Sequence, residues 1–274
     1  MSAVVLVVIG VLTGLTTVLF GFGGGFVTVP VILWVDAAAG PAAATVAVAT
    51  SSLVMVVSAV VATAATPRSV LGRLRGSASL LVLLGAGGLG GAFAASFAPG
   101  WLIHWGFVAY LALTVLDVLV RPGFLHLDDP GGAGRREAAI PVWLGMPIGG
   151  IAAFLGVGGS VMTVPLLRRS GLPMRSAATL ANPLTACIGA PACAVFLALT
   201  HGTGTGSGTG TDTGALGLTV GFVDLGAAAL LLLGSLPIVV LLRRRPPRIA
   251  DRLHARAYVA LLCLVLIVML ARTP

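Results

Sequence analysis

The residues with chemistry to offer gather around one phrase that the chain carries twice. GFGGGFVTVP runs from Gly21 to Pro30, and GVGGSVMTVP from Gly156 to Pro165. Lined up without a gap, six of ten positions agree: Gly21 with Gly156, Gly23 with Gly158, Gly24 with Gly159, Thr28 with Thr163, Val29 with Val164 and Pro30 with Pro165. Clustered glycines remove side chains and permit positive φ, so a helix can break there and its main chain can be approached closely. A half-helix that starts just beyond such a break turns unpaired amides and about half a positive charge into the gap, which makes an anion site. The candidate binding positions are therefore Gly23, Gly24 and Gly25 in the first copy and Gly158, Gly159 and Ser160 in the second. Thr28, Pro30, Thr163 and Pro165 are the matched residues of the helices that follow. The competing reading is that these glycines only let helices pack closely, which a duplicated pattern with matching threonine and proline makes less economical.

A second set of polar residues follows each motif. ATSS spans Ala49 to Ser52, and SAATLANPLTA begins at Ser176. Aligning Gly40 with Gly171 sets Thr50 and Ser51 opposite Ala181 and Asn182. Neutral hydroxyl and amide donors suit an oxyanion that must be bound and then released, whereas an arginine holds it more tightly. The competing reading of Thr50, Ser51 and Asn182 is ordinary back-bonding to the preceding helical turn. Two carboxylates, Asp117 and Asp224, fall near the ends of apolar stretches. A charge at the bilayer centre costs about 2.5–3.5 kcal/mol on insertion scales and often marks an ion path. Both aspartates are candidates for proton coupling, or simply sit at headgroup depth.

These residues must be held by elements made for hydrocarbon. Of 274 residues, 58% are hydrophobic and 9% charged, with a mean hydropathy of +1.09. A water-soluble domain is about a quarter charged, so the composition predicts an all-α polytopic protein of the cytoplasmic membrane. All sixteen basic residues are arginines. The absence of lysine excludes a P-loop, a Schiff base and pyridoxal phosphate. The arginines flank apolar runs, which points to topology control and away from nucleic acid. Cys187, Cys193 and Cys263 lie in apolar stretches without ligand spacing, and the four histidines are scattered, so no metal, cofactor or catalytic set is expected. The N-terminal run MSAVVLVVIG lacks the positive region of a signal peptide and reads as part of the first membrane segment.

Eight apolar stretches stand at about 3–35, 42–66, 77–98, 101–120, 139–167, 176–200, 215–242 and 255–271. A crossing takes about 20 helical residues. The first and fifth are overlong, and these two carry the glycine motifs. The organisation is a single membrane domain, 1–274, with repeat one at about 1–120, a central polar loop at 121–138 and repeat two at about 139–274. A glycine- and threonine-rich loop fills 202–214. Eight simple crossings leave the arginines split between the two faces. If stretches one and five instead re-enter, with the N-terminus outside, every arginine except Arg272 is cytoplasmic. The halves then become inverted repeats.

GFGGGFVTVPVIL and GVGGSVMTVPLL, with ATSS after the first, resemble the TauE/SafE family of sulfite exporters. The closing run from GFVDLGAAALLLLGSLPIVVLLRRRPPR to the last apolar stretch is similar to that family's C-terminal pattern. There a G-[YF]-V-D element opens a helix and a basic turn precedes the last one. The resemblance covers most of the chain and implies a membrane permease built from a duplicated unit. Such permeases are associated with export or uptake of small sulfur-containing or organic anions such as sulfite and sulfoacetate. It draws attention to Gly23, Gly24, Gly25, Pro30, Thr50, Ser51, Gly158, Gly159 and Pro165. The chain departs from the pattern at Ser160, where a third glycine is usual. It also departs in LANP, at Pro237-Ile238 and in the arginine-heavy RRRPPR.

The expectation is a permease for a small anion, sulfite or another sulfur-containing anion, working by alternating access and not an enzyme. The two breaks would face each other near the midplane across a shared polar pocket. The implied partners are the anion, the bilayer and a second copy of the chain, with no nucleic acid. The alternative is a non-transporting membrane scaffold or partner subunit.

Overall fold

The computed structural model describes residues 3–35, 43–74, 76–121, 124, 141–199, 218–245, 247 and 249–271. The Asp36–Pro41 turn, nearly all of the 121–138 loop and the 202–214 loop lie outside the described residues. Eleven α-helices are described: α1 Ala3–Phe20, α2 Gly25–Val35, α3 Ala43–Ala64, α4 Arg68–Leu71, α5 Ala78–Ser96, α6 Gly100–Val120, α7 Gly145–Leu155, α8 Ser160–Arg169, α9 Met174–Ala198, α10 Leu225–Arg244 and α11 Asp251–Leu270. A short antiparallel ribbon, Thr219–Val220 with Val223–Asp224, leads into α10. Among the described residues, seven helices are long and apolar enough to cross a membrane: α1, α3, α5, α6, α9, α10 and α11. The helices α2, α7 and α8 have 11, 11 and 10 residues, about half a bilayer each at 1.5 Å per residue.

The outer surface is the apolar one. On α1, Val4, Val8, Leu12 and Leu15 form an exposed stripe, and Leu113, Leu116 and Val120 do the same on α6. The interior instead holds Thr13, Thr17, Thr50, Ser51, Ser160, Thr163, Asn182 and Thr185, all buried. That inversion suits a lipid solvent, which favours apolar side chains outside and leaves polar ones to the interior.

The two halves interlock by exchanging partners. In repeat one α1 packs along α10 of repeat two, and α7 of repeat two packs along α5 of repeat one. Likewise α5 meets α9 while α10 meets α3, and α3 crosses α9 just as α6 crosses α11. Replacing α1, α3, α5 and α6 by α7, α9, α10 and α11 carries each pairing onto another, as a pseudo-two-fold relation requires. Glycines permit the two long crossings. A Cβ at Gly10 would lie 2.3 Å from Leu231 O, and one at Gly149 2.2 Å from Leu84 O.

The chain doubles back at both motifs. Gly24 lies against Thr13 of α1, and Ile32 at the far end of α2 joins Leu6, Ala47 and Ala227 in one cluster. In the second motif α7 and α8 run in opposite senses along α6. Leu155 of α7 sits at Gly106, while Arg169 at the end of α8 bonds Asp117 and shares a cavity wall with Leu144 and Arg121. So α3, α6, α8 and α10 end, and α5, α7, α9 and α11 begin, at one end of the bundle. Every arginine among the described residues lies at that end, which the positive-inside bias assigns to the cytoplasm. The first hairpin enters from the opposite face and the second from the arginine-rich face, so the repeats are inverted. Exposed Arg73 and Thr219 are the positions that check this. Single cysteines placed there, in a background without Cys187, Cys193 and Cys263, will react with an impermeant maleimide from opposite faces of the membrane. Reaction from the same face would overturn the inverted arrangement.

Candidate functional site

The first break is Gly21 to Gly24, with φ of +77° at Gly21, +64° at Gly23 and +98° at Gly24. The second spans Gly156 to Gly159, with φ of +67° at Gly156 and +71° at Gly158. Left-handed backbone of this kind ends one helix and re-aims the chain into the next. Ser160 opens α8 without a positive φ, so serine there carries no backbone strain. Gly25, its counterpart, must be glycine for another reason: a Cβ there would stand 2.4 Å from Gly156 O.

The breaks meet back to back. A Cβ at Gly23 would lie 2.7 Å from Thr185 Cγ2 and 2.8 Å from Met55 Cγ. One at Gly158 would lie 2.7 Å from Met55 Sδ and 2.9 Å from Thr185 Cγ2. Met55 and Thr185, near the middles of α3 and α9, are thus clamped between both breaks. The first turns of α2 and α8 start here and run toward opposite faces, so their positive ends converge at the midplane. Phe22 and Phe26 stack with centroids 4.4 Å apart and close one side.

These contacts correct the sequence register. Gly156 faces Val48 and Ser51, while Gly21 faces Ala178 and Ala181. The partner of Ser51 is therefore Ala181, one residue from Asn182, and the partner of Met55 is Thr185. The connection after the second motif is shorter, so the alignment through Gly40 and Gly171 does not carry into the helices.

Several candidate side chains are engaged with the protein itself. Ser51 Oγ shares its one hydrogen between Val48 O at 2.9 Å and Gly156 O at 3.1 Å, and so reaches across repeats to the second break. Thr50 Oγ1 accepts the Asp224 amide at 3.0 Å, and Asp224 Oδ1 caps α10 by accepting from Ala227 N at 2.9 Å. Thr28 Oγ1 donates to Gly24 O at 2.8 Å. Pro30 and Pro165 lie inside α2 and α8. Asp117 is ion-paired with Arg169 at 2.6 Å and Arg121 at 3.2 Å. Neither aspartate is brought to the breaks.

Others have no protein partner although they are fully enclosed: the hydroxyls of Thr13, Ser160, Thr163 and Thr185 and Oδ1 of Asn182. Thr13 touches Gly24, Thr185 touches both breaks, and Ser160 and Thr163 open α8. Asn182 Nδ2 donates to Ala178 O at 3.2 Å. A buried polar group without a partner costs about 1–3 kcal/mol, so these atoms are the candidate contacts for a water or ligand at the breaks. Met55 and Thr13 are the residues that motif reading passed over, while Thr185 belongs to the SAATLANPLTA run already noted. A register search between the two helices would have paired Met55 with Thr185.

Among the described residues the breaks meet in close packing around Met55 and Thr185, and not across the shared pocket expected at the midplane. Two cavities flank the breaks, and no break glycine lines either. One, of about 840 Å³, lies between α5, α6, α7 and α8 and ends at Asp117, Arg121 and Arg169; Pro165 lines its wall. The other, of about 360 Å³, lies at the arginine-rich end. Between them Met55, Thr185, Phe22 and Phe26 fill the meeting point, so the centre is occluded.

The bond from Ser51 to the second break gives a direct prediction. Ser51→Ala leaves Gly156 O without its donor and will lower stability by about 1–3 kcal/mol, read as a drop in thermal midpoint in detergent. An unchanged midpoint would show that the break does not depend on this hydroxyl.

An interlocked, duplicated bundle with matched half-helices meeting at its centre is the architecture of a membrane transporter. The chain belongs to the sulfite exporter TauE/SafE family, which it matches over residues 6–272. It is accordingly an integral membrane transporter of a family that is not enzymatic. No curated protein and no solved structure matches it.

Proposed function

We propose that the protein is a permease of the cytoplasmic membrane that carries a small sulfur oxyanion, sulfite or an organosulfonate, by alternating access. The single observation supporting this is the meeting of two glycine breaks at the midplane amid enclosed hydroxyls that have no protein partner. Backbone amides at Gly23–Gly25 and Gly158–Ser160, with the hydroxyls of Thr13, Ser160, Thr163 and Thr185 and the second N–H of Asn182 Nδ2, supply neutral donors. Thr50 and Ser51 hold the frame by joining α3 to α10 and to the second break. The occluded centre is the state between two openings, reached when one repeat rocks against the other. Asp117 and Asp224 act as an ion-pair partner and a helix cap, so the driving force is the substrate gradient or a coupled ion bound elsewhere.

Proteoliposomes test this. Labelled sulfite will enter vesicles containing the protein faster than empty ones, and excess unlabelled sulfoacetate will slow its entry. Flux equal to that of empty vesicles would favour a scaffold or partner subunit.

A further inference from the structure

The smaller cavity, about 360 Å³, opens between the ends of α1, α3 and α10 and the starts of α9 and α11. Its polar wall comprises Thr66, Arg175, Ser176, Thr179, Arg243 and His254, with no carboxylate among the described lining residues. Arg243 is half-buried. Its Nη1 donates to Thr179 Oγ1 at 3.0 Å, but Nε and Nη2 are enclosed and have no protein partner. Arg175 stands exposed on the same wall, close enough to repel Arg243. The nearby acid Asp251 is held by Arg168 and by the Met174 amide, at 2.7 Å each. His254 has Nε2 on Leu19 O at 2.6 Å. Two guanidiniums facing one small cavity without a counter-ion leave it strongly anion-seeking.

We propose that this cavity is a binding site for a small free oxyanion at the arginine-rich mouth, separate from the central breaks. Arg243 binds it through Nε and Nη2, the edge of the guanidinium that grips an oxyanion with two parallel hydrogen bonds. Arg175 adds charge at the entrance, and Ser176 adds a hydroxyl. The α9 helix then leads inward from the site. Arg175, Thr179, Asn182 and Thr185 lie on one stripe at intervals of three and four residues, rising about 15 Å to the residue that touches both breaks. The site thus concentrates the anion at the foot of that stripe.

Binding of sulfate, a stable oxyanion, to the full chain in zwitterionic nanodiscs tests this by calorimetry. Wild type will bind, Arg243→Gln will weaken binding at least tenfold, and Arg175→Gln will weaken it several-fold. Arg243→Lys will recover only part, and Arg73→Gln, which removes an exposed charge outside the cavity, will bind like wild type. A second measurement uses the unmutated protein. Phenylglyoxal modification of Arg243, read by mass spectrometry, will be slowed several-fold by sulfate compared with gluconate at equal ionic strength. Equal binding by wild type and Arg243→Gln would overturn the proposal. So would an Arg243 that the reagent never reaches, or occupancy seen only when anionic lipid is present. The outcome is separable from the transport reading. Arg243-dependent binding without flux leaves the site standing and removes the permease, while flux with Arg243-independent binding does the reverse.

Discussion

Replacing Thr185 by valine and Ser160 by alanine is expected to reduce anion flux at least tenfold while leaving the protein as stable as before, or more so. Both side chains are fully buried, and neither hydroxyl has a protein partner. Valine keeps the shape of threonine, so Thr185 Cγ2 keeps its place against Gly23 and Gly158. Removing an enclosed hydroxyl that bonds nothing relieves a desolvation penalty of about 1–3 kcal/mol, so the thermal midpoint should hold or rise. Only a ligand that needs those hydroxyls loses by the change. A central glycine is a poorer probe. Leucine at Gly24 would force a side chain into backbone at φ +98°, with its Cβ 2.6 Å from Thr13 Cγ2, and would damage fold and function together. Flux and stability measured side by side decide the matter. Wild-type flux in the double variant would mean that the hydroxyls serve nothing at the centre. Parallel loss of both would mean that they hold the fold.

The breaks were legible in the sequence because backbone chemistry writes itself directly into residue type. Positive φ at Gly21, Gly23, Gly156 and Gly158 leaves few alternatives to glycine, and the duplication marked the two positions as equivalent. The re-entrant path was legible for a similar reason, since arginine placement reflects sidedness. The side-chain roles were not. Thr50 and Ser51 stood out as polar residues in an apolar run, but whether a hydroxyl faces a ligand or a neighbouring carbonyl depends on which helix lies across from it. Ser51 turned out to face Gly156, 105 residues away. Met55 carried no signal, because methionine in a membrane helix reads as filler. Arg175 and Arg243 were absorbed into the topology argument, as an arginine that sets sidedness and one that lines a cavity have the same letter. The one-residue register error came from aligning through a connection whose length differs between the repeats.

The clasp at the arginine-rich end was the least legible element of all, and it carries the largest stability effect. Asp251→Ala is expected to destabilise the protein by about 3 kcal/mol, the low end of the range for breaking a buried ion pair. Arg168 is fully buried at the end of α8, with Nη2 on Asp251 Oδ2 at 2.7 Å, Nε donating to Phe124 O, and its guanidinium 5.4 Å from the Phe124 ring centroid. Its Nη1 already lacks a partner. Asp251 also accepts the Met174 amide and opens α11, where a carboxylate complements the helix dipole. One side chain therefore ties together α8, α9 and α11. Its loss strands a cation inside the protein, although water reaches the 36% exposed Asp251 side and softens the effect. The double variant Arg168→Met with Asp251→Ala is expected to recover much of the loss, because it removes the stranded charge along with its partner. Unfolding in mixed micelles, followed by loss of helicity as sodium dodecyl sulfate increases, measures both. If the double variant unfolds as easily as Asp251→Ala, the lost helix cap dominates and the buried charge is not what makes this aspartate matter.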